Sequence, residues 1–170
     1  MVGFVVLGAS GAAAAQGVIY GSEMWRAHLV TIEPSTGAVT DVGPFGTTHG
    51  AMTGLAYDPV YNVLYGITNQ DGLYRINPST GQATEIVWPM GFGNVNGLAY
   101  DSLNEVLYAS DCTTADSRLF ALDVDTGQAT LVGTITNASN VEGLAYDAAA
   151  DTLLGVSDYT GRIVAIDRAT

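Results

Sequence analysis

The sequence predicts an all-β protein assembled from one repeated unit of short strands, on three observations. The pentapeptide Gly-Leu-Ala-Tyr-Asp occurs unchanged at 54–58, 97–101 and 143–147. A second motif follows each copy, as Leu64-Tyr65-Gly66, Leu107-Tyr108-Ala109 and Leu153-Leu154-Gly155, with Ile19-Tyr20-Gly21 as an earlier copy. A third runs from Ile32 to Gly37, Ile76 to Gly81 and Leu122 to Gly127, and returns at Ile166 to Thr170. Its threonines stand at 36, 80, 126 and 170, steps of 44, 46 and 44 residues. Separate motifs holding one period of this length mark stacked or ring-forming repeats.

Each element of the unit has a local cause. Leu55-Ala56-Tyr57 is a short apolar first strand, and Asp58-Pro59-Val60-Tyr61-Asn62 carries turn residues. Val63 to Thr68, rich in β-branched and aromatic side chains, is the second strand, and Leu73 to Ile76 the third. The Asn77-Pro78-Ser79-Thr80-Gly81 segment reads as a tight hairpin, with Pro78 presetting φ and Gly81 supplying a left-handed residue. Gln82 to Val87 is the fourth strand. Four short antiparallel strands in this length make the blade of a β-propeller.

The first strands are placed near 53–57, 96–100 and 142–146, and the tight hairpins at 77–81 and 123–127. Along each first strand, Leu and Tyr alternate with Gly and Ala, so one blade's large side chains can lie against the small ones of its neighbour.

From Ile19 onward the count is three strands, two full sets of four, then three, or 14 strands and about three and a half blades in residues 18–170. A closed ring takes 4–8 blades. The expectation is therefore a partial propeller that continues beyond the C-terminus. A distorted four-bladed ring, or two chains sharing a seven- or eight-bladed one, stay open as alternatives. Open blade edges invite self-association.

Residues 1–17 differ from the rest: an apolar run closes on Ala13-Ala14-Ala15 before Gln16, and the segment lacks the repeat's own Tyr and Asp. It is read as a signal peptide cleaved before Gln16 and packed outside the blades, which makes the protein secreted or periplasmic. The run is too short for a bilayer span.

Charge narrows the partners. The net charge is −12, all five cations are arginines, and no lysine is present. A phosphate backbone needs clustered positive charge, so nucleic acid is excluded as a partner, and an anionic membrane surface is disfavoured. With 48% hydrophobic and 13% charged residues, the chain packs a core.

Few residues offer chemistry. No nucleophile elbow, P-loop, HExxH motif or dinucleotide fingerprint occurs, so no catalytic residue is assigned. Cys112 is a small side chain in a blade loop, since a catalytic thiol needs a base and only His28 and His49 exist. His28 shares its place at the start of the third strand with Gly72, Arg118 and Arg162, and is read as solvent-facing. Asp111 with Asp116, and Asp123 with Asp125, make no EF-hand loop, and Asp123 is read as a turn cap. The residues directly before the pentapeptide, Thr53, Asn96 and Glu142, occupy equivalent positions at one mouth of the central channel, where His49 could join them.

The run from Gly54 to Ile86, GLAYDPVYNVLYGITNQDGLYRINPSTGQATEI, resembles exported bacterial propeller proteins of the YVTN and NHL type, and the resemblance covers residues 18–170. It implies blades and assigns no activity. Asn96-Gly97-Leu98-Ala99 is also similar to the Asn-Gly segment of gluconolactonase-like propellers, in which an Asn and acidic residues bind a divalent metal. That similarity implies Asn96 and Glu142 as metal ligands, with calcium as the candidate cofactor, while Thr53 departs from the pattern. The expected function is a non-enzymatic exported binding or scaffold module for an unidentified protein or small-molecule ligand. The alternative is a metal-dependent hydrolase or lyase of the gluconolactonase or streptogramin-lyase type.

Overall fold

The computed structural model describes residues 17–91, 93–112, 116–136 and 138–168, and among these every regular element is a β-strand. The proposed signal peptide lies outside the described residues. Blade 1 holds β1 (Ile19–Glu23), β2 (His28–Ile32) and β3 (Val39–Pro44). Blade 2 holds β4 (Met52–Asp58), β5 (Val63–Thr68), β6 (Leu73–Ile76) and β7 (Ala83–Val87). Blade 3 holds β8 (Val95–Asp101), β9 (Val106–Asp111), β10 (Arg118–Leu122) and β11 (Ala129–Thr134), and blade 4 holds β12 (Val141–Asp147), β13 (Thr152–Ser157) and β14 (Arg162–Ile166). Each blade is an antiparallel meander of sequential strands, and the grouping of three, four, four and three is the one the repeat predicts. The first strands begin one residue earlier than the motif suggests, and β7 begins one residue later.

The turns form for the reasons the sequence gives. Asp58 Oδ1 accepts the backbone N–H groups of Val60 and Tyr61 at 2.8 and 3.1 Å, and Asp101 and Asp147 repeat the arrangement with 103 and 104 and with 149 and 150. In the outer hairpin Gly81 adopts φ +78° and donates to the Asn77 carbonyl at 2.8 Å, while Asn77 Oδ1 accepts from Ser79 N–H at 2.9 Å. Asp123 caps the next copy, accepting from Asp125 and Thr126 N–H groups at 2.9 and 2.8 Å.

The core lies between blades. Leu29, Phe45, Leu55 and Leu64 fill the first interface, Ala56, Tyr65, Leu98 and Phe120 the second, and Ala99, Leu119, Leu144 and Leu153 the third. Each inner strand turns its Leu and Tyr toward the preceding blade and its Gly and Ala toward the next. A Cβ on Gly97 would stand 2.8 Å from Leu144 Cγ of blade 4, and one on Gly54 would stand 2.6 Å from the Asn96 carbonyl oxygen of blade 3. Fit against a neighbour explains the glycine of the first two copies. The same face of blade 4 has no such neighbour among the described residues, and Val156 (48%) and Ile163 (71%) stand exposed on that sheet.

Candidate functional site

Inner strands β4, β8 and β12 lie side by side, so their starts share one end of the array. At that end each strand carries a β-bulge. Met52 pairs with Thr68 and Gly54 with Ile67, so Thr53 is the extra residue. Asn96 lies between the pairs Val95–Asp111 and Gly97–Ser110, and Glu142 between Val141–Ser157 and Gly143–Val156. The three residues singled out by their place before the pentapeptide are therefore the three bulge residues. A bulge interrupts the ladder and re-aims its side chain.

The bulge also frees a carbonyl, and the preceding blade supplies the donor each time. Ser22 Oγ donates to the Met52 carbonyl at 3.0 Å, Thr53 Oγ1 to that of Val95 at 3.2 Å, and Ser110 Oγ to that of Val141 at 2.8 Å. The Thr53 hydroxyl thus faces blade 3, within 3.4 Å of its own blade's Ile67 carbonyl. Asn96 is half-buried, and Glu142 is exposed and accepts from Asn140 Nδ2 at 3.2 Å.

A second ring of equivalent residues joins the first. The N–H groups of Asn69, Cys112 and Asp158 donate to the carbonyls of residues 51, 94 and 140, each at 3.1 Å. Each stands four residues after the central position of the second motif (Tyr65, Tyr108, Leu154), so the spacing alone could have flagged them. Cys112 is half-buried, and its thiol donates to the Val141 carbonyl at 3.2 Å. Burial, reinforced by the charge of Glu142, pushes the thiol up to about 11 against the pull of Ser117 and Asn96. Cys112 thus lies among Asn96, Glu142 and Ser117, as a protonated, inert thiol at neutral pH.

His49 goes elsewhere. Its ring stacks on Trp88 at 3.7 Å between centroids and 4° between planes, and its Nε2 lies 3.7 Å from Glu85 Oε2 of β7, the outermost strand. The aromatic partner draws it to the blade's rim, so the structure groups Thr53, Asn96 and Glu142 without His49. Beside it, burial and the neighbouring Glu85 carboxylate push the Tyr74 phenol up to about 12. His28 is not simply solvent-facing: it is half-buried, with Nδ1 2.8 Å from Asp41 Oδ1, because β3 brings an aspartate alongside it.

Asn96 and Glu142 offer a metal at most three side-chain oxygens, with the Cys112 thiol near both. Calcium takes about 6–8 oxygen ligands and thiolates suit softer ions. Among the described residues no group of three or more His, Cys, Asp and Glu side chains is placed to hold an ion. Asn96 and Glu142 alone do not compose a calcium centre. Asp111, another of the acidic residues considered, is buried and paired with Arg118.

No protein-family model matches the chain, and no curated protein does. Solved structures do. A chain of the nidogen/laminin complex superposes with a TM-score of 0.71 at 18% identity, over 91% of this chain and 58% of that one. The fold is a β-propeller. A protein of unknown function from Bacteroides thetaiotaomicron matches this propeller array at 0.67 and 17%, over 87% of this chain and 44% of that one. An auxiliary nutrient binding protein from the same organism matches at 0.62 and 16%, over 95% and 40%. The chain spans less than two-thirds of each relative, and at these identities the likeness concerns the fold alone. Among the described residues no helix is long and apolar enough to cross a membrane.

Proposed function

We propose that this chain is a non-enzymatic, exported binding module whose recognition face is the bulged end of its blades. The observation that carries the reading is the threefold bulge, which sets Thr53, Asn96 and Glu142 at one end while the side chain changes from blade to blade. An unvarying backbone that presents varied polar groups suits a polar, asymmetric ligand such as a protein surface or an extended peptide. Binding loops on a rigid scaffold are where recognition concentrates. The nidogen/laminin structure, a complex of two proteins, supports a protein partner, and the nutrient binding protein supports a binding role.

The test is selection of peptides from a random library on the immobilised chain, followed by titration against a Thr53→Ala, Asn96→Ala, Glu142→Ala triple variant. Selected peptides should bind the triple variant at least tenfold more weakly. Peptides indifferent to all three changes would remove the bulged end as the recognition face. The metal-dependent hydrolase or lyase reading is examined on the same material, by calorimetric titration with calcium and a lactone-hydrolysis assay. Calcium binding that Glu142→Gln abolishes, together with turnover, would favour the enzyme.

A further inference from the structure

The outermost strands of the blades are not equally protected. β3, β7 and β11 end the sheets of blades 1, 2 and 3, each with one side unpaired among the described residues. Each carries a β-bulge at the same register, at Val42, Ile86 and Val132. The residue before the bulge distinguishes them: Asp41 stands opposite Val30, Glu85 opposite Tyr74 and Leu131 opposite Phe120. A charge on an edge strand guards against pairing with another chain, and so does a proline, which has no N–H to offer. β3 has both, Asp41 and Pro44, and β7 has Glu85. β11 has neither, and Leu131 is 55% exposed.

This edge is that of a finished blade. Blade 3 has its four strands and lies between blades 2 and 4. Directly opposite residues of an antiparallel pair share a face, so Leu131 stands on the side of Phe120, a core residue between blades 2 and 3. The leucine is therefore exposed with its neighbouring blade in place. At the same position the other two blades hold their carboxylates beside a histidine, Asp41 at 2.8 Å from His28 Nδ1 and Glu85 at 3.7 Å from His49 Nε2.

We propose that the β11 edge is a dimerisation surface, occupied by β11 of a second copy of this chain. Antiparallel pairing about a two-fold axis sets a strand against itself. At β3 or β7 this would bring Asp41 or Glu85 up to its own copy, and like charges across a strand pair are destabilising. At β11 only Ala, Thr, Leu, Val and Gly meet, and centring the pair on Leu131 sets the two exposed leucines side by side. Each copy carries a net charge of −12, so the two bodies repel. An uncharged edge is the place where they approach with least repulsion, and salt screens the remainder. Asn96 lies on β8, three strands or about 14 Å inward. Pairing at the rim thus leaves the bulged end open and gives the assembly two copies of it.

The test is sedimentation velocity of the full chain over a concentration series. A monomer–dimer equilibrium is expected, with a dissociation constant on the order of 100 μM because the contact is small. It should tighten between about 0.05 and about 0.5 M sodium chloride. Leu131→Glu, which gives β11 the kind of residue its equivalents carry, should weaken the dimer at least tenfold. Ile163→Glu, on the exposed sheet of blade 4, should leave it unchanged, as should the triple variant of the bulged end. Hydrogen exchange on the unmodified chain is a readout independent of how any variant folds: dimerisation should slow exchange in 129–134 and leave 39–44 and 83–87 unchanged. A chain that stays monomeric throughout would overturn the proposal and leave the edge to a strand of another protein. So would a dimer that salt loosens, one that Leu131→Glu leaves intact, or protection confined to other strands.

Discussion

The pentapeptide glycine provides a stability test whose sign differs between copies of one motif. At Gly97 an added Cβ would press on Ser110 Oγ and stand 2.8 Å from Leu144 Cγ and 3.2 Å from the Leu144 backbone nitrogen. Ser110 cannot move away without loosening its bond to the Val141 carbonyl, and Leu144 belongs to the core between blades 3 and 4. Overpacking of this kind costs about 1–3 kcal/mol. At Gly143 the nearest atom to the same Cβ is Val156 Cβ at 3.7 Å, an ordinary contact. There the added methyl mainly reduces the freedom of the unfolded chain, a gain of roughly 0.4–1 kcal/mol. For a domain of this size each kcal/mol moves Tm by about 2–4 °C. Gly97→Ala should therefore lower Tm by roughly 2–12 °C, and Gly143→Ala should raise it by roughly 1–4 °C. Thermal melts by circular dichroism, with urea titration to confirm an unchanged slope, read both. Equal losses in the two variants would refute the argument that blade-to-blade contact fixes this glycine.

Two further predictions concern titratable groups. Asp101 is buried, ion-paired with Arg168, and holds the turn at 103–104. Burial alone raises its carboxyl, but hydrogen bonds from Asn104, Tyr146 and Leu103 outweigh it and hold the group below the ordinary carboxylate range. A depressed acid stabilises the fold above its unfolded value, about 3.9, and the contribution fades as pH falls through the folded one. Asp101→Ala should cost about 3–5 kcal/mol at pH 7, the range for breaking a buried pair, and clearly less at pH 3; a pH-independent difference in urea titrations would contradict this. Cys112, with its thiol near 11, should react with iodoacetamide at pH 8 about a hundredfold more slowly than an ordinary thiol, because so little of it is thiolate. Glu142→Gln removes a charge that disfavours the thiolate and should speed the reaction, whereas an unchanged rate would separate the two side chains.

The blades were legible in the sequence because their causes are local. Asp58, Asn77 and Gly81 fold their own turns, and alternation in Leu55-Ala56-Tyr57 sets the buried faces. The bulges were not, since a bulge is a relation between two strands: nothing in Val95-Asn96-Gly97 says that Asp111 and Ser110 will skip Asn96. The sequence suggests the channel for His49 because it gives the loop but not the partner. Trp88, 39 residues on, arrives through the folding of the whole of blade 2. The ring of Asn69, Cys112 and Asp158 lay in the sequence at constant spacing, hidden because its residue types differ.

That difference in type bears on the ligand proposed for the bulged end. Where blades touch, the first two copies meet closely packed neighbours, and Gly-Leu-Ala-Tyr-Asp recurs without change even at 143–147, where Gly143 meets no neighbouring blade among the described residues. At the bulged end the backbone geometry recurs as faithfully, with three bulges and three carbonyls satisfied from the preceding blade. The side chains there do not: Thr53, Asn96 and Glu142 in one ring, Asn69, Cys112 and Asp158 in the other. A hard cation takes about 6–8 oxygens, and here the Thr53 hydroxyl already serves the Val95 carbonyl while the Asn69 amide oxygen accepts from Ala51 N–H. A hydroxyl, two amides, a thiol and two carboxylates in unequal places suit a ligand whose own groups differ along its length. This asymmetry favours an extended polar ligand over a metal ion at the bulged end.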